Sequence, residues 1–171
     1  MSNILLDIKN ERLSFFTPAG EVKALNDVSI SMREGEVLGI VGESGSGKSV
    51  TAYSIMGLTA HPGKIIGGTI DFNGKRINDL TEKELQRIRG NEVSIIFQDP
   101  MTSLNPVYTI GNQIKEVILL HTDKNKKEAH DRAIELLKLV GINEPEKRMK
   151  QYPHELSGGM RQRVMIAIAL A

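Results

Sequence analysis

The 171 residues, 40% hydrophobic and 25% charged, suffice for one globular domain with a buried core and exclude a fibre or a disordered chain. Twenty-two basic and twenty-one acidic side chains leave a net charge of +1, too little for the electrostatic footprint of a dedicated nucleic-acid binder. With no cysteine there is no disulfide, thiolate metal site or cysteine nucleophile, which fits a reducing compartment.

Met1 to Asp7 carries neither the cationic nor the apolar stretch of a secretory signal. Strands are predicted over Leu5 to Lys9, Leu13 to Phe16 and around Val28 to Met32, with a turn at Pro18 and Gly20. Glu36 to Val41 is a short apolar run after the turn Arg33-Glu34-Gly35, the pattern of a strand buried on both faces. A glycine-rich stretch follows, then a predicted helix from Lys48 to Leu58 with Val50, Ser54 and Leu58 on one face. Thr69 to Phe72 leads into the hairpin dipeptide Asn73-Gly74, and Glu82 to Gly90 reads as a short charged helix. Val93 to Phe97 is a second expected buried strand, ending at Gln98-Asp99-Pro100. Beyond Pro106 the spacing becomes helical over Ile110 to His121 and over Lys126 to Val140, where Ala129, Ala133, Leu136, Leu137 and Val140 form the apolar face. The longest apolar run, Val164 to Ala171, spans eight residues against about 20 for a helix that crosses a bilayer.

Gly42-Glu43-Ser44-Gly45-Ser46-Gly47-Lys48-Ser49 matches the G-x-x-x-x-G-K-[ST] phosphate-loop pattern, placed between a predicted strand and a predicted helix as its mechanism requires. Glycines let backbone N–H groups, through Val50, close on phosphate oxygens, and the helix N-terminus adds its positive end. Lys48 can neutralise the β- and γ-phosphates and the Ser49 hydroxyl can ligate Mg²⁺. A second anion-binding candidate is Leu156-Ser157-Gly158-Gly159-Met160-Arg161-Gln162-Arg163, where Ser157 is a natural N-cap and two glycines leave the first turn open. Taken alone, that segment reads more readily as an ordinary capped helix with a basic solvated face at Arg161 and Arg163.

Together, Gly42 to Ser49 and Leu156 to Gln162 resemble the nucleotide-binding domain of ATP-binding cassette (ABC) proteins, the second segment matching the family signature. The resemblance implies an α/β P-loop fold: a core parallel sheet, an N-terminal antiparallel part and a helical subdomain. It divides residues 1–171 into a β-rich and phosphate-loop core (1–97), a glutamine loop with helical subdomain (98–156) and the start of the signature helix (157–171), one incomplete domain. Gln98 stands where the family glutamine touches Mg²⁺ or the attacking water; its amide both donates and accepts. Phe16-Thr17-Pro18 with Gly20, Gln98 to Pro106 and Met160 to Arg163 look like the ATPase subunits of oligopeptide, dipeptide and nickel importers. By resemblance, Phe16, chosen over Phe15, stacks on adenine, while Ser157, Gly158 and Gly159 act in trans on ATP held by a second ABC ATPase subunit, identical or related, paired head to tail. The same likeness implies permease subunits facing Gln98 to Pro106, an extracellular solute-binding protein, and a peripheral position on the cytoplasmic face of the membrane.

The family pattern continues with an apolar strand ending in Asp-Glu and later a switch histidine. No counterpart of these lies within the 171 residues, so this stretch alone is expected to bind ATP without turnover and to expose apolar faces that make it aggregation-prone. His61, His121, His130 and His154 read as surface or loop histidines. Asn125-Lys126-Lys127-Glu128 approaches the guanine-reading N-K-x-D pattern but ends in Glu. A chromosome-structuring relative shares both motifs but inserts long segments where Gln98 to Leu156 here is compact.

Overall fold

The computed structural model describes residues 3–99 and 103–171. Pro100, Met101 and Thr102 of the glutamine segment lie outside the described residues, as do Met1 and Ser2. The chain divides into two compact units, Met1–Gln86 and Arg87–Ala171.

The first unit is built on an antiparallel sheet of strand order β2-β1-β3-β4. Strands β1 (Ile4–Thr17) and β2 (Gly20–Arg33) form a long hairpin closed by Pro18 and Ala19. Strand β3 (Gly63–Phe72) pairs with the other edge of β1, Ile8 facing both Ile30 and Ile70. Asn73 and Gly74, both at positive φ, turn β3 into the two-residue β4 (Lys75–Arg76), the conformation that the Asn-Gly dipeptide favours. Leu6, Ile8, Leu13, Leu25, Ile70 and Phe72 bury the inner face.

Helix α1 (Lys48–Ile55) is shorter than the predicted Lys48 to Leu58, closing at Met56 with Leu58 N donating to Tyr53 O at 2.8 Å. Its buried side is Thr51 and Ser54, not the Val50, Ser54 and Leu58 face, and Leu58 is exposed. Helix α2 (Glu82–Ile88) follows, its first turn capped where Thr81 N and Oγ1 both donate to the Glu84 carboxylate.

The two expected buried strands are corrected by the structure. Residues 36–43 and 94–97 carry no strand, and the only parallel pairing among the described residues is an isolated bridge between Arg89 and Val93. Val37 is 97% and Val41 94% exposed, and Ile96 and Phe97 are exposed as well. A parallel strand is held by neighbours on both sides and covered on both faces. No described element supplies such neighbours, so neither apolar run forms a strand among the described residues.

The second unit is helical. Helices α3 (Ile110–His121), α4 (Lys126–Leu139) and α6 (Gly158–Ala169), with the short α5 (Pro145–Arg148), enclose one core. Ile110, Ile114 and Ile118 of α3 meet Ala129, Ala133, Leu136 and Leu137 of α4 and Val164 and Ala167 of α6, as the helical spacing predicts. Val140 is the C-cap of α4 rather than part of it. Asn125 accepts from Lys127 N and Glu128 N while Asn125 N donates to Glu128. The N-K-x-E stretch is therefore a capping box, which accounts for its residues without a guanine site. Among the described residues no helix is long and apolar enough to cross a membrane.

Candidate nucleotide-binding site

The phosphate-loop segment sits at the head of α1 with Gly47 as N-cap, at φ 92°. An ideal Cβ there would lie 2.7 Å from Leu25 Cδ2 and 3.1 Å from Ala24 O, so both conformation and space require glycine. Gly45 is also left-handed, at φ 83°, and Ser46 N closes a turn onto Glu43 O at 3.2 Å. Gly42 lies close to the Ser46 hydroxyl. Lys48 curls back over the loop: its Nζ donates to Gly42 O at 2.8 Å, Glu43 O at 2.7 Å and Ser46 Oγ at 3.2 Å. An ammonium group held this way by loop oxygens is placed where an incoming phosphate offers stronger, charge-assisted acceptors. Glu43, Ser44 and Ser49 are exposed and Val50 is half-buried. The Ser49 hydroxyl is a hard oxygen donor suited to Mg²⁺; among the described residues no cluster of three His, Cys, Asp or Glu forms a metal cage.

In the same unit, Phe15 packs against Gly63, whose Cβ position would fall 2.8 Å from Phe15 Cε1. Strand alternation turns Phe16 the other way and leaves it 46% exposed, with its backbone N donating to Pro62 O. Of the two aromatics, Phe16 is the more exposed.

In the helical unit, the Ser157 hydroxyl accepts from Met160 N at 3.3 Å, the N-cap bond that the sequence predicts. Gly158 and Gly159 are exposed, and nothing lies within 4 Å of a Cβ built on either. Buried Leu156, Val164 and Ala167 fix α6 in the core behind this open turn. A cavity of about 300 Å³ lies beside it, lined in part by Asn143, Arg148, Ser157 and Arg163. Both arginines are committed to internal partners: Arg163 to Val140 O and Gly141 O, Arg148 to Gln151 and Glu144. Arg163 is thus not a free member of a solvated face but a cation clamped on the C-terminus of α4.

Gln98 is exposed at a bend. Downstream, Ser103 Oγ donates to Asp99 O at 2.6 Å, and Gln113 of α3 pins the following loop, accepting from Asn105 N and donating to Asn105 O and Tyr108 O. Leu25, Gln113 and Arg163 hold these segments, and none has a local sequence signature; each acts across a gap in sequence that only the fold closes. His61, His130 and His154 are exposed as expected, whereas half-buried His121 ends α3 beside Gly90.

A profile of the ABC transporter family matches residues 25–171. The chain belongs to the ABC transporter family. It is 54% identical over 99% of its length to the oligopeptide transport ATP-binding protein OppD of Salmonella typhimurium and 50% identical over 98% to the dipeptide transport ATP-binding protein DppD of Escherichia coli. The chain spans about half the length of these curated relatives. Among solved structures, the dimeric ABC transporter cassette MJ0796 is similar at a TM-score of 0.86 and 31% identity, covering 97% of this chain and 69% of that one; the same cassette is known in a post-hydrolysis state bound to ADP and Pi. The fold class expected from the phosphate loop and signature is therefore the ABC cassette, formed here by its antiparallel sheet, phosphate-loop helix and helical unit.

Proposed function

We propose that this ABC chain is the nucleotide-cradling part of an ATPase subunit that drives peptide uptake across the cytoplasmic membrane. The observation that carries the reading is the phosphate loop itself, with Gly47 locked over Leu25 and Lys48 drawn across the loop at the head of α1. The 54% identity to an oligopeptide transport ATP-binding protein supports the peptide class.

In this reading the glycines and the first N–H groups of α1 receive the phosphates of ATP, and Lys48 exchanges its loop carbonyls for β- and γ-oxygens. Ser49 and Gln98 are the residues that would hold Mg²⁺, which when bound would supply positive charge against the phosphates. Phe16 stacks on adenine. Ser157, Gly158 and Gly159 meet the nucleotide of a second ABC ATPase subunit arranged head to tail, and the surface following Gln98 receives the permease subunits. An extracellular solute-binding protein delivers the peptide.

Lys48→Ala removes a charged hydrogen bond worth about 1.5 to 3 kcal/mol, so ATP affinity should fall about 10- to 150-fold. Equilibrium titration with ATP checks this, and unchanged affinity overturns the nucleotide site. The peptide class is tested by uptake of labelled peptides in vesicles carrying the assembled transporter; uptake of another solute class alone overturns it.

A further inference from the structure

Phe16 and Glu21 stand opposite each other near the closed end of the β1–β2 hairpin. In an antiparallel ladder a residue turns its N–H and C=O toward the same neighbouring strand, and hydrogen-bonded pairs alternate with non-hydrogen-bonded ones. Phe16 N donates to Pro62 O at 3.2 Å, on the side of β1 away from β2. Phe16 and Glu21 are therefore a non-hydrogen-bonded pair, the kind whose side chains lie closest and share one face of the sheet. One step further on, Thr17 pairs with Gly20, and Thr17 Oγ1 donates to Gly20 O at 2.9 Å, which pins the turn beside them. Both side chains are exposed. Among the described residues no hydrogen bond or ion pair engages the Glu21 carboxylate.

The pair lies along β2 from the phosphate loop. Gly47 of that loop meets β2 at Ala24 and Leu25, three and four residues from Glu21. At the rise of a strand this is roughly 10 to 14 Å, the separation between the phosphates and the base of an extended nucleotide. β2 is an edge strand, so among the described residues no further strand closes off that path. An aromatic ring stacks on any base and does not tell one from another. A carboxylate is more selective, because it only accepts hydrogen bonds. Position six of adenine carries an amine, which donates, whereas position six of guanine carries a carbonyl, which does not.

We propose that Glu21 selects the base: its carboxylate accepts a hydrogen bond from the six-amino group of an adenine stacked on Phe16, so that the site prefers ATP to GTP. The proposal rests on the reading of Phe16 as the adenine platform and of the loop as the phosphate site.

The test is equilibrium titration of the full-length polypeptide with ATP, with GTP and with purine riboside triphosphate, which is ATP without its six-amino group. Wild type should bind ATP about three- to tenfold more tightly than the purine analogue, the value of one exposed hydrogen bond, and more tightly than GTP. Glu21→Ala should bring ATP and the analogue within about twofold of each other, and Glu21→Gln, whose amide also donates, should narrow the gap between ATP and GTP. Because the ligands carry the same triphosphate, their ratio cancels both the general effect of removing a negative charge and any loss of folded protein. Phe16→Ala should weaken ATP and the analogue alike. An ATP-to-analogue ratio that Glu21→Ala leaves unchanged, while Phe16→Ala weakens ATP, overturns the role of Glu21 and leaves the platform standing. Unchanged ATP affinity in Phe16→Ala overturns the platform and the proposal together, and leaves the phosphate site to stand or fall with Lys48→Ala.

Discussion

A carboxyl group closed off from water resists ionisation, and burial pushes Glu11 above the usual carboxylate range. No charged side chain offsets this: on the same strand Lys9 pairs with Asp7, and Arg12 pairs with Asp27 of β2, while Lys48, the one charged residue of α1, is turned to its loop. As pH rises, the unfolded chain releases this proton first, so the native state holds more protons and stability falls until the folded group ionises. Urea melts at a series of pH values should show this decline above the ordinary carboxylate range, and Glu11→Gln should remove it. Asp71 has the opposite sign. Its hydrogen bonds to Arg76 hold its carboxyl below the usual range, so its contribution is present near neutrality and is lost as pH falls, though solvent keeps it small.

At the scale of elements, caps and turns decide where helices start and strands bend. Ser157→Ala deletes the bond to Met160 N and should cost about 1 kcal/mol, read as a lower urea midpoint with an unchanged slope. Position 68 is more restrictive. Gly68 has φ 83°, and a side chain there would collide with the Asn10 backbone across the sheet. Gly68→Ala should therefore destabilise by more than the roughly 1 kcal/mol of a left-handed residue, seen as a lower melting temperature. In the helical unit, Leu136 is fully buried among α3, α4 and α6, and Leu136→Ala should cost about 2 to 5 kcal/mol.

At the scale of the whole molecule, Val37, Val41, Ile96 and Phe97 expose apolar surface among the described residues. Surface of this kind drives association in water. The 171-residue polypeptide should bind an apolar-surface dye and scatter light increasingly with concentration; a non-associating, dye-free monomer would contradict this. The chain spans only about half the length of its curated relatives.

Local chemistry was legible in the sequence. The Ser157 cap, the Asn73-Gly74 turn and the apolar faces of α3 and α4 depend on residues within a few positions of one another, and each forms as the spacing predicts. The gap left between predicted strands at residues 10–12 is where the sheet bulges. Tertiary structure decided what distant residues must settle together. The runs at 36–41 and 94–97 have strand composition but form no strand among the described residues, because a buried parallel strand is made by its neighbours as much as by its own side chains. Glu11 turns inward because three strands bulge at one level, and Gly47 is fixed by Leu25 from another element. Such contacts have no periodicity to read, since the residues that make them are brought together only when the chain folds.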